Sequence, residues 1–126
     1  MDGLLRIGLS AILASAFLAA PAHASGDASK GQSLFVRCAV CHTAQRGAPN
    51  RMGPNLFGIV GRKAGTLAGY SYSSAMAKSG IVWSADTLPH YLMGPSSVVP
   101  GTKMAFAGLS NSQQANDMAA YLATLK

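Results

Sequence analysis

The sequence is short of charge, and that shortage limits the kinds of partner it can have. Only 11% of the 126 residues are charged while 49% are hydrophobic, so one small domain must bury much apolar surface against something bulky. The net charge is +6, but the basic residues are scattered, with Arg62-Lys63 as the only adjacent pair. The absence of a polybasic run argues against a nucleic-acid arm.

Two cysteines and three histidines leave few ways to build a metal or redox site. Cys38 and Cys41 stand three positions apart, and His42 follows directly. This is the spacing of covalent c-type haem attachment. On one turn of helix the two thiols can form thioethers with one porphyrin, while the imidazole lies under the iron as its proximal ligand.

Other uses of the two thiols remain open but explain less. A thioredoxin-like redox pair needs a preceding strand and a βαβ setting, and neither is visible in the sequence. A structural zinc site needs two further ligands, and the only other histidines are His23 and His90. A disulfide between the cysteines is the third alternative for an exported protein. Only haem attachment also accounts for His42.

The first 24 residues are predicted to be a cleaved signal peptide. Arg6 precedes the apolar run 7–20, and Ala22-His23-Ala24 has the small-x-small pattern of a signal-peptidase site. This run of 14 residues is shorter than the roughly 20 that a spanning helix requires, so cleavage is favoured over retention as an anchor. We therefore expect a mature domain, residues 25–126, in the periplasm.

The mature chain shows no alternating strand pattern and no internal repeat, which predicts an all-α fold with long loops. One helix begins after Asp27 as N-cap, and the last helix has capping-box spacing from Ser110 to Gln113. We expect these helices to cross, with Gly31 permitting close approach. Their predicted buried faces are Gly31, Leu34, Phe35 and Cys38 in the first, and Ala115, Met118, Ala119, Leu122 and Leu125 in the last.

The middle of the chain is predicted to be mostly loop. From the haem motif to residue 70 it is rich in Gly and Pro, and a loop of this length usually leans on a ligand or serves a function. Short helices are expected over Ser73–Ser79, and from Ser84 or Thr87 to about Gly94. Pro89 limits the second one because proline is tolerated only in a first turn.

The sixth iron position separates an electron carrier from a gas-binding protein or an enzyme. Met52 follows soon after the haem motif, whereas Met104 ends a turn-rich segment that could cross the other haem face. Position alone favours Met104 over Met52 without deciding between them. The other candidates lie in predicted helices, where methionine usually fills the core and histidine is usually exposed: Met76, Met93, Met118 and His90.

Further motifs follow the haem motif in a familiar order. They are Gly53-Pro54-Asn55-Leu56, Gly61-Arg62-Lys63, Tyr70-x-Tyr72, Gly80-Ile81-x-Trp83 and Pro100-Gly101-Thr102-Lys103-Met104-x-Phe106-x-Gly108. Together they resemble the class I cytochrome c family, especially the mitochondrial carrier and its soluble bacterial periplasmic relatives. The resemblance runs from about residue 26 to 126. It implies a small class I cytochrome c fold, with crossed terminal helices, short helices and long loops around one covalent haem c.

The resemblance implies a role for each matching residue. Cys38 and Cys41 would bear the thioethers, with His42 as proximal and Met104 as distal iron ligand. Pro54 would accept a hydrogen bond from the other ring nitrogen of His42. Tyr72 and Trp83 would donate hydrogen bonds to a buried haem propionate, Arg62 would offset the charge of that propionate, and Tyr70 would lie in the same wall of the site. Tyr91 and Thr102 would lie on the methionine side of the haem. Phe106 would cover the exposed haem edge.

By the same resemblance the protein is expected to be a monomeric one-electron carrier and not an enzyme. Arg37, Arg51 and Lys103 would steer it to acidic docking faces of a quinol-oxidising complex and of a terminal oxidase, photosynthetic reaction centre or peroxidase. It would meet membranes only through these complexes and would bind no nucleic acid. Two alternatives stay open: an enzyme or sensor using a labile Met104 with His90 as acid-base group, and a subunit tethered by an uncleaved signal.

Overall fold

The chain folds as helices joined by long loops in the computed structural model, which describes residues 15–16 and 26–126. Most of the predicted signal peptide, residues 1–24, thus lies outside the described residues. Across residues 26–126 the β structure is limited to one isolated bridge between Lys63 and Val82, so the all-α prediction is confirmed. The elements are α1 (Ala28–Leu34), a 3-10 helix (Phe35–Arg37), α2 (Ser74–Lys78), α3 (Thr87–Met93), α4 (Pro95–Val98) and α5 (Ser112–Ala123).

Helices α1 and α5 pack against each other, as predicted. The Asp27 side chain caps α1 by accepting hydrogen bonds from the Ser29 and Lys30 N–H groups at 2.9 and 3.2 Å. A Cβ added to Gly31 would lie 2.0 Å from the backbone oxygen of Asp117 in α5. Only glycine allows this approach, because backbone atoms cannot move aside as a side chain could.

The N-cap of α5 differs from the predicted one. Asn111, in extended conformation, accepts from the Gln114 N–H at 2.9 Å, whereas the Ser110 hydroxyl donates to the Gln114 side chain. The capping box from Ser110 to Gln113 is therefore wrong by one residue, because an asparagine one position later caps equally well. The predicted stripe is buried at Ala115, Met118, Ala119 and Leu122, while Leu125 is only partly covered.

The short central helices lie close to their predicted positions. Ser73 caps α2 through its hydroxyl, and Pro89 falls in the first turn of α3, where its missing N–H costs nothing. The brief helix α4, with Pro95 at its first position, was not predicted. No helix among the described residues is long and apolar enough to cross a membrane.

The core lies where α3 and α5 pack together, and it forms one wall of a cavity. Leu88 and Leu92 of α3 stand four residues apart, as do Met118 and Leu122 of α5, so each pair presents one helical face. All four side chains are buried and line the cavity. The long loop 38–73 supplies much of the remaining lining.

Candidate functional site

One cavity brings together every site residue that the sequence predicts. Its lining includes Cys38, Cys41, His42, Pro54, Arg62, Tyr70, Tyr72, Trp83, Tyr91, Thr102, Met104 and Phe106. These residues span most of the domain, from the end of α1 to the loop before α5. The fold therefore assembles a single site from distant motifs.

The two cysteines lie on a tight turn at the cavity edge. The N–H groups of Cys41 and His42 donate to the Cys38 carbonyl at 3.0 and 2.9 Å. Both thiols are free, and burial raises the pKa of the Cys38 thiol, against the opposing charge of Arg37. Within residues 26–126, no three Cys, His, Asp or Glu side chains are grouped to hold a metal ion.

The His42 imidazole is fixed on two sides. Its Nδ1 lies 2.7 Å from the Pro54 carbonyl, so Nδ1 carries the proton and Nε2 keeps its lone pair. A Cβ on Gly53 would lie 2.4 to 2.8 Å from three ring atoms, which means that the ring lies flat against this glycine. Burial lowers the pKa of His42, although the Pro54 hydrogen bond opposes this. The ring is thus neutral at pH 7 and able to bind a metal.

Met104 is held by contacts from α3 and from its own loop. The Tyr91 hydroxyl donates toward Met104 Sδ at 4.0 Å, and the Met104 N–H donates to Thr102 Oγ1 at 3.3 Å. Thr102 also hydrogen-bonds Tyr91, whose pKa is nevertheless raised by burial. The competing candidate Met52 is 79% exposed and directly precedes the glycine that contacts His42.

The buried guanidinium of Arg62 indicates that the cavity binds an anionic group. Its Nη2 donates to the Phe57 carbonyl at 2.8 Å, but its buried Nη1 has no hydrogen-bond partner in the described part of the chain. A buried charged donor without an acceptor is costly, so a bound anion would complete it. Trp83 and Tyr72 line the same cavity, and burial is the main cause that raises the pKa of Tyr72.

Several lining residues were not singled out as site residues from the sequence. Gly53 was quoted within a motif but not given its contact with His42. By contrast Met93, expected to fill the core, ends α3, does not line the cavity and is 44% exposed. Met76 is partly buried and lines the cavity. The apolar walls, whose helical spacing could have revealed them, are Leu56, Ile59, Leu88, Leu92, Met118 and Leu122.

This set of groups fits a covalently attached haem. Two thiols lie beside a neutral buried imidazole, and a thioether sulfur lines the same apolar cavity. A buried arginine nitrogen in the described part of the chain has no hydrogen-bond partner and could pair with an anionic group. Thioether formation, nitrogen and sulfur ligation and charge pairing with a propionate would use all of them. Fold and site together define a c-type haem protein.

Comparisons with known proteins give the family. A family model described as Cytochrome c matches residues 28–126. The chain is 45% identical over 109 residues to the cytochrome c of Guizotia abyssinica, covering 86% of this chain and 96% of that one. It is 51% identical over 98 residues to those of Cochliobolus lunatus and Arabidopsis thaliana, covering 77% of this chain and 91% and 88% of theirs. The chain belongs to the cytochrome c family of haem electron carriers, and haem c is its cofactor.

Proposed function

We propose that the protein carries single electrons between membrane complexes, with His42 and Met104 as the two axial ligands of a haem attached to Cys38 and Cys41. The observation that carries this proposal is that one apolar cavity is lined by a neutral imidazole and a thioether, each held by neighbouring groups. When bound, the haem supplies an iron that alternates between ferrous and ferric states. Two uncharged ligands and burial favour the ferrous state.

The residues around the ligands keep the site ready for electron transfer. Pro54 fixes the tautomer of His42 through the 2.7 Å contact with Nδ1, as outer-shell partners of ligating histidines do. Tyr91 and Thr102 orient Met104. Because these positions are set before an electron arrives, little rearrangement is needed when it does.

The charged and polar groups at the other side of the cavity would hold the haem propionates. Arg62 offers an unpaired buried donor, with Tyr72 and Trp83 in the same lining and Tyr70 packed edge-on against Tyr72 at 4.8 Å. Pairing with Arg62 lowers the cost of burying a carboxylate. Phe106 completes the wall near the exposed edge.

The rival function, an enzyme or gas sensor, has less support from the geometry. Catalysis at the iron would need a polar acid-base group in the cavity. His90 is exposed on α3 and does not line the cavity. A direct discriminator is carbon monoxide: the reduced carrier should not bind it at neutral pH, whereas an enzyme with an open iron position would.

The proposed partners are a quinol-oxidising complex as donor and a terminal oxidase, photosynthetic reaction centre or peroxidase as acceptor. Arg37, Arg51 and Lys103 are exposed and would favour acidic docking faces. The experiment is to incubate the monomeric holoprotein with membranes of the source organism and follow its redox state. Substrate-dependent reduction and oxygen-dependent reoxidation, each blocked by inhibitors of the matching complex, are expected; failure of both would contradict the proposal.

We also propose that the protein is exported to the periplasm after cleavage of residues 1–24. Support comes from Arg6, the apolar run and the Ala22-His23-Ala24 pattern. The names of the relatives described above give no location and lend this one no support. Sequencing the N-terminus of the protein in periplasmic and membrane fractions tests it: a start near Ser25 is expected, and an intact N-terminus in the membrane fraction would mean a tethered subunit.

A further inference from the structure

One peptide unit connects the proposed iron ligand His42 to a side chain outside the cavity. Its carbonyl belongs to Pro54 and accepts from His42 Nδ1 at 2.7 Å. Its N–H belongs to Asn55 and donates to the side-chain oxygen of Asn50 at 2.8 Å. The peptide bond is trans, and in a planar trans peptide the carbonyl and the N–H point in opposite directions. Asn50 and His42 are therefore linked from opposite sides of the Pro54–Asn55 peptide unit.

Backbone hydrogen bonds on both sides of this peptide unit hold it against the histidine ring. The N–H of Gly53, just before the peptide unit, donates to the Cys41 carbonyl at 2.9 Å. The N–H of Leu56, just after it, donates to the Thr43 carbonyl, also at 2.9 Å. Because Cys41 and Thr43 flank the histidine in the chain, these two bonds fix the distance between the ring and the carbonyl without the Asn50 side chain.

The side chain of Asn55 holds the shape of the surrounding loop. It is buried and donates to the carbonyls of Gln45 and Ala48 at 2.8 and 3.0 Å. Its oxygen accepts from the Phe57 N–H at 3.0 Å. The shape of the loop thus has supports other than the bond to Asn50, so that bond acts mainly on the charge distribution of the peptide unit.

A hydrogen bond at one end of a peptide unit strengthens a hydrogen bond at its other end. When the N–H donates, electron density moves toward the carbonyl oxygen, and bonds in such a chain strengthen one another by roughly 10–30%. A stronger acceptor at Pro54 makes the other ring nitrogen of His42 a more basic ligand. A more basic ligand favours ferric iron over ferrous iron, which lowers the reduction potential.

We propose that Asn50 lowers the reduction potential by polarising the Pro54–Asn55 peptide unit, which strengthens the hydrogen bond that His42 donates to it. This inference rests on the proposed function, in which His42 is an iron ligand. Asn50 is half-buried and does not line the haem cavity, so it is a positioning residue that acts through the peptide unit. Its effect opposes the preference for ferrous iron that uncharged ligands and burial produce.

The main test replaces Asn50 by a residue of similar size that cannot accept a hydrogen bond. In the holoprotein, Asn50→Leu should raise the ratio of ferrous to ferric protein at a fixed potential about twofold, which is roughly 18 mV at 59 mV per tenfold change. Potentiometric titration measures it. The matched control is Thr43→Val, which removes the 2.8 Å bond from Thr43 Oγ1 to the Pro49 carbonyl in the same loop. This control should leave the potential unchanged, because the peptide unit keeps both of its bonds.

Proton NMR of the reduced holoprotein gives a second readout. The two resonances to follow are those of His42 Nδ1–H and of the Asn55 N–H. In Asn50→Leu both should move upfield, because the loss of one bond weakens the other. In Thr43→Val neither should move. An unchanged Nδ1–H resonance in Asn50→Leu would mean that the peptide unit transmits nothing to the ring, and the proposal would be wrong.

Asn50→Asp tests the proposal in the opposite direction and decides it if Asn50→Leu does not fold. An ionised carboxylate accepts more strongly than an amide oxygen, so the potential should fall below that of the wild type. Gln45→Glu adds the same charge at an exposed position of the same loop and measures the direct effect of the charge on the iron. The fall in Asn50→Asp should exceed the fall in Gln45→Glu.

The optical spectrum of the holoprotein separates this proposal from the proposed function. If the wild type is high-spin, the assigned ligands are wrong and the proposed function itself fails. If the wild type is low-spin with sulfur ligation, equal shifts of potential in Asn50→Leu and Thr43→Val, or in Asn50→Asp and Gln45→Glu, contradict only the role of Asn50. The carrier function would then stand.

Discussion

The histidine side and the methionine side of the cavity differ in how closely neighbouring groups hold the proposed iron ligand. On the histidine side, His42 is held by a 2.7 Å contact with the Pro54 carbonyl and by a glycine lying flat against its ring. On the methionine side, Met104 has a hydroxyl 4.0 Å from its sulfur and a 3.3 Å bond to its N–H. The 2.7 Å distance between nitrogen and oxygen is at the short end of the range for its type, whereas 4.0 Å is long for a hydrogen bond even to the larger sulfur atom. The methionine side should therefore be where ligation is lost first.

Replacing Met104 should have the largest effect. Met104→Ala removes the proposed sulfur ligand, so the iron should bind carbon monoxide and cyanide, gain peroxidase activity and fall in reduction potential. Optical titration with each ligand and a potentiometric titration measure these changes. Met52→Ala is the discriminating variant. If it reproduces these changes and Met104→Ala does not, the assignment of the distal ligand is wrong.

The second-largest effect is expected from crowding the His42 ring on the histidine side of the cavity. Gly53→Ala would place a Cβ 2.4 Å from the His42 ring, and that ring is held in place by its 2.7 Å contact with the Pro54 carbonyl. We expect a loss of about 1–3 kcal/mol in the free energy of unfolding, measured by denaturant titration of the holoprotein. Gly94→Ala is the control, since its added Cβ would meet only ordinary contacts at 3.6 Å. Equal losses in both variants would contradict the tight fit at His42.

Removing single hydroxyl groups should have a smaller effect, and the loss of sulfur ligation should be more sensitive to a hydroxyl near Met104 than to one elsewhere in the cavity lining. Tyr91→Phe deletes the donor near Met104 Sδ, and should lower the temperature at which sulfur ligation is lost, at a cost of about 1 kcal/mol. Tyr70→Phe deletes a donor to the Met52 carbonyl at 2.7 Å and should leave that temperature almost unchanged. Following the far-red sulfur-to-iron band on heating measures both. If Tyr70→Phe lowered the temperature of sulfur loss more than Tyr91→Phe, the proposed support of Met104 by the Tyr91 hydroxyl would be contradicted.

The smallest effect concerns acid stability of the crossing of α1 and α5. Asp117 is a buried residue, and hydrogen bonds from the Asp27 N–H and the Gln113 side chain lower the pKa of its carboxyl group, with burial opposing. The ionised form of Asp117 thus stabilises the fold at pH values above the usual carboxyl pKa of about 3.9. This contribution is lost as the pH falls through the lowered pKa that Asp117 has in the folded protein.

Asp117→Asn should accordingly be less stable than wild type near pH 7, and the difference should vanish at low pH. Denaturant titrations between pH 2 and 7 measure it. Asp86→Asn is the control because Asp86 makes no side-chain cap bond at the start of α3. A difference that grows as the pH falls would contradict the assigned direction.

The sequence, with its family resemblance, predicted the site residues and the contact of His42 with the Pro54 carbonyl, but not every contact in the site. The haem motif and the resemblance to the cytochrome c family identified twelve residues that line one cavity. Eleven of them stand in the quoted motifs, and Tyr91 was implied by the resemblance alone. The exposure of Met93 and the contact of Gly53 with His42 depend on how distant segments pack, which local pattern does not report. The cap at Asn111 was missed because Ser110 is an equally good cap by residue type.

The most direct measurement is the optical spectrum of the ferric holoprotein at neutral pH. If His42 and Met104 both bind the iron, the spectrum is low-spin with a far-red sulfur-to-iron band, and the band disappears in Met104→Ala but not in Met52→Ala. A high-spin spectrum, or a far-red band that survives loss of Met104, would contradict this account.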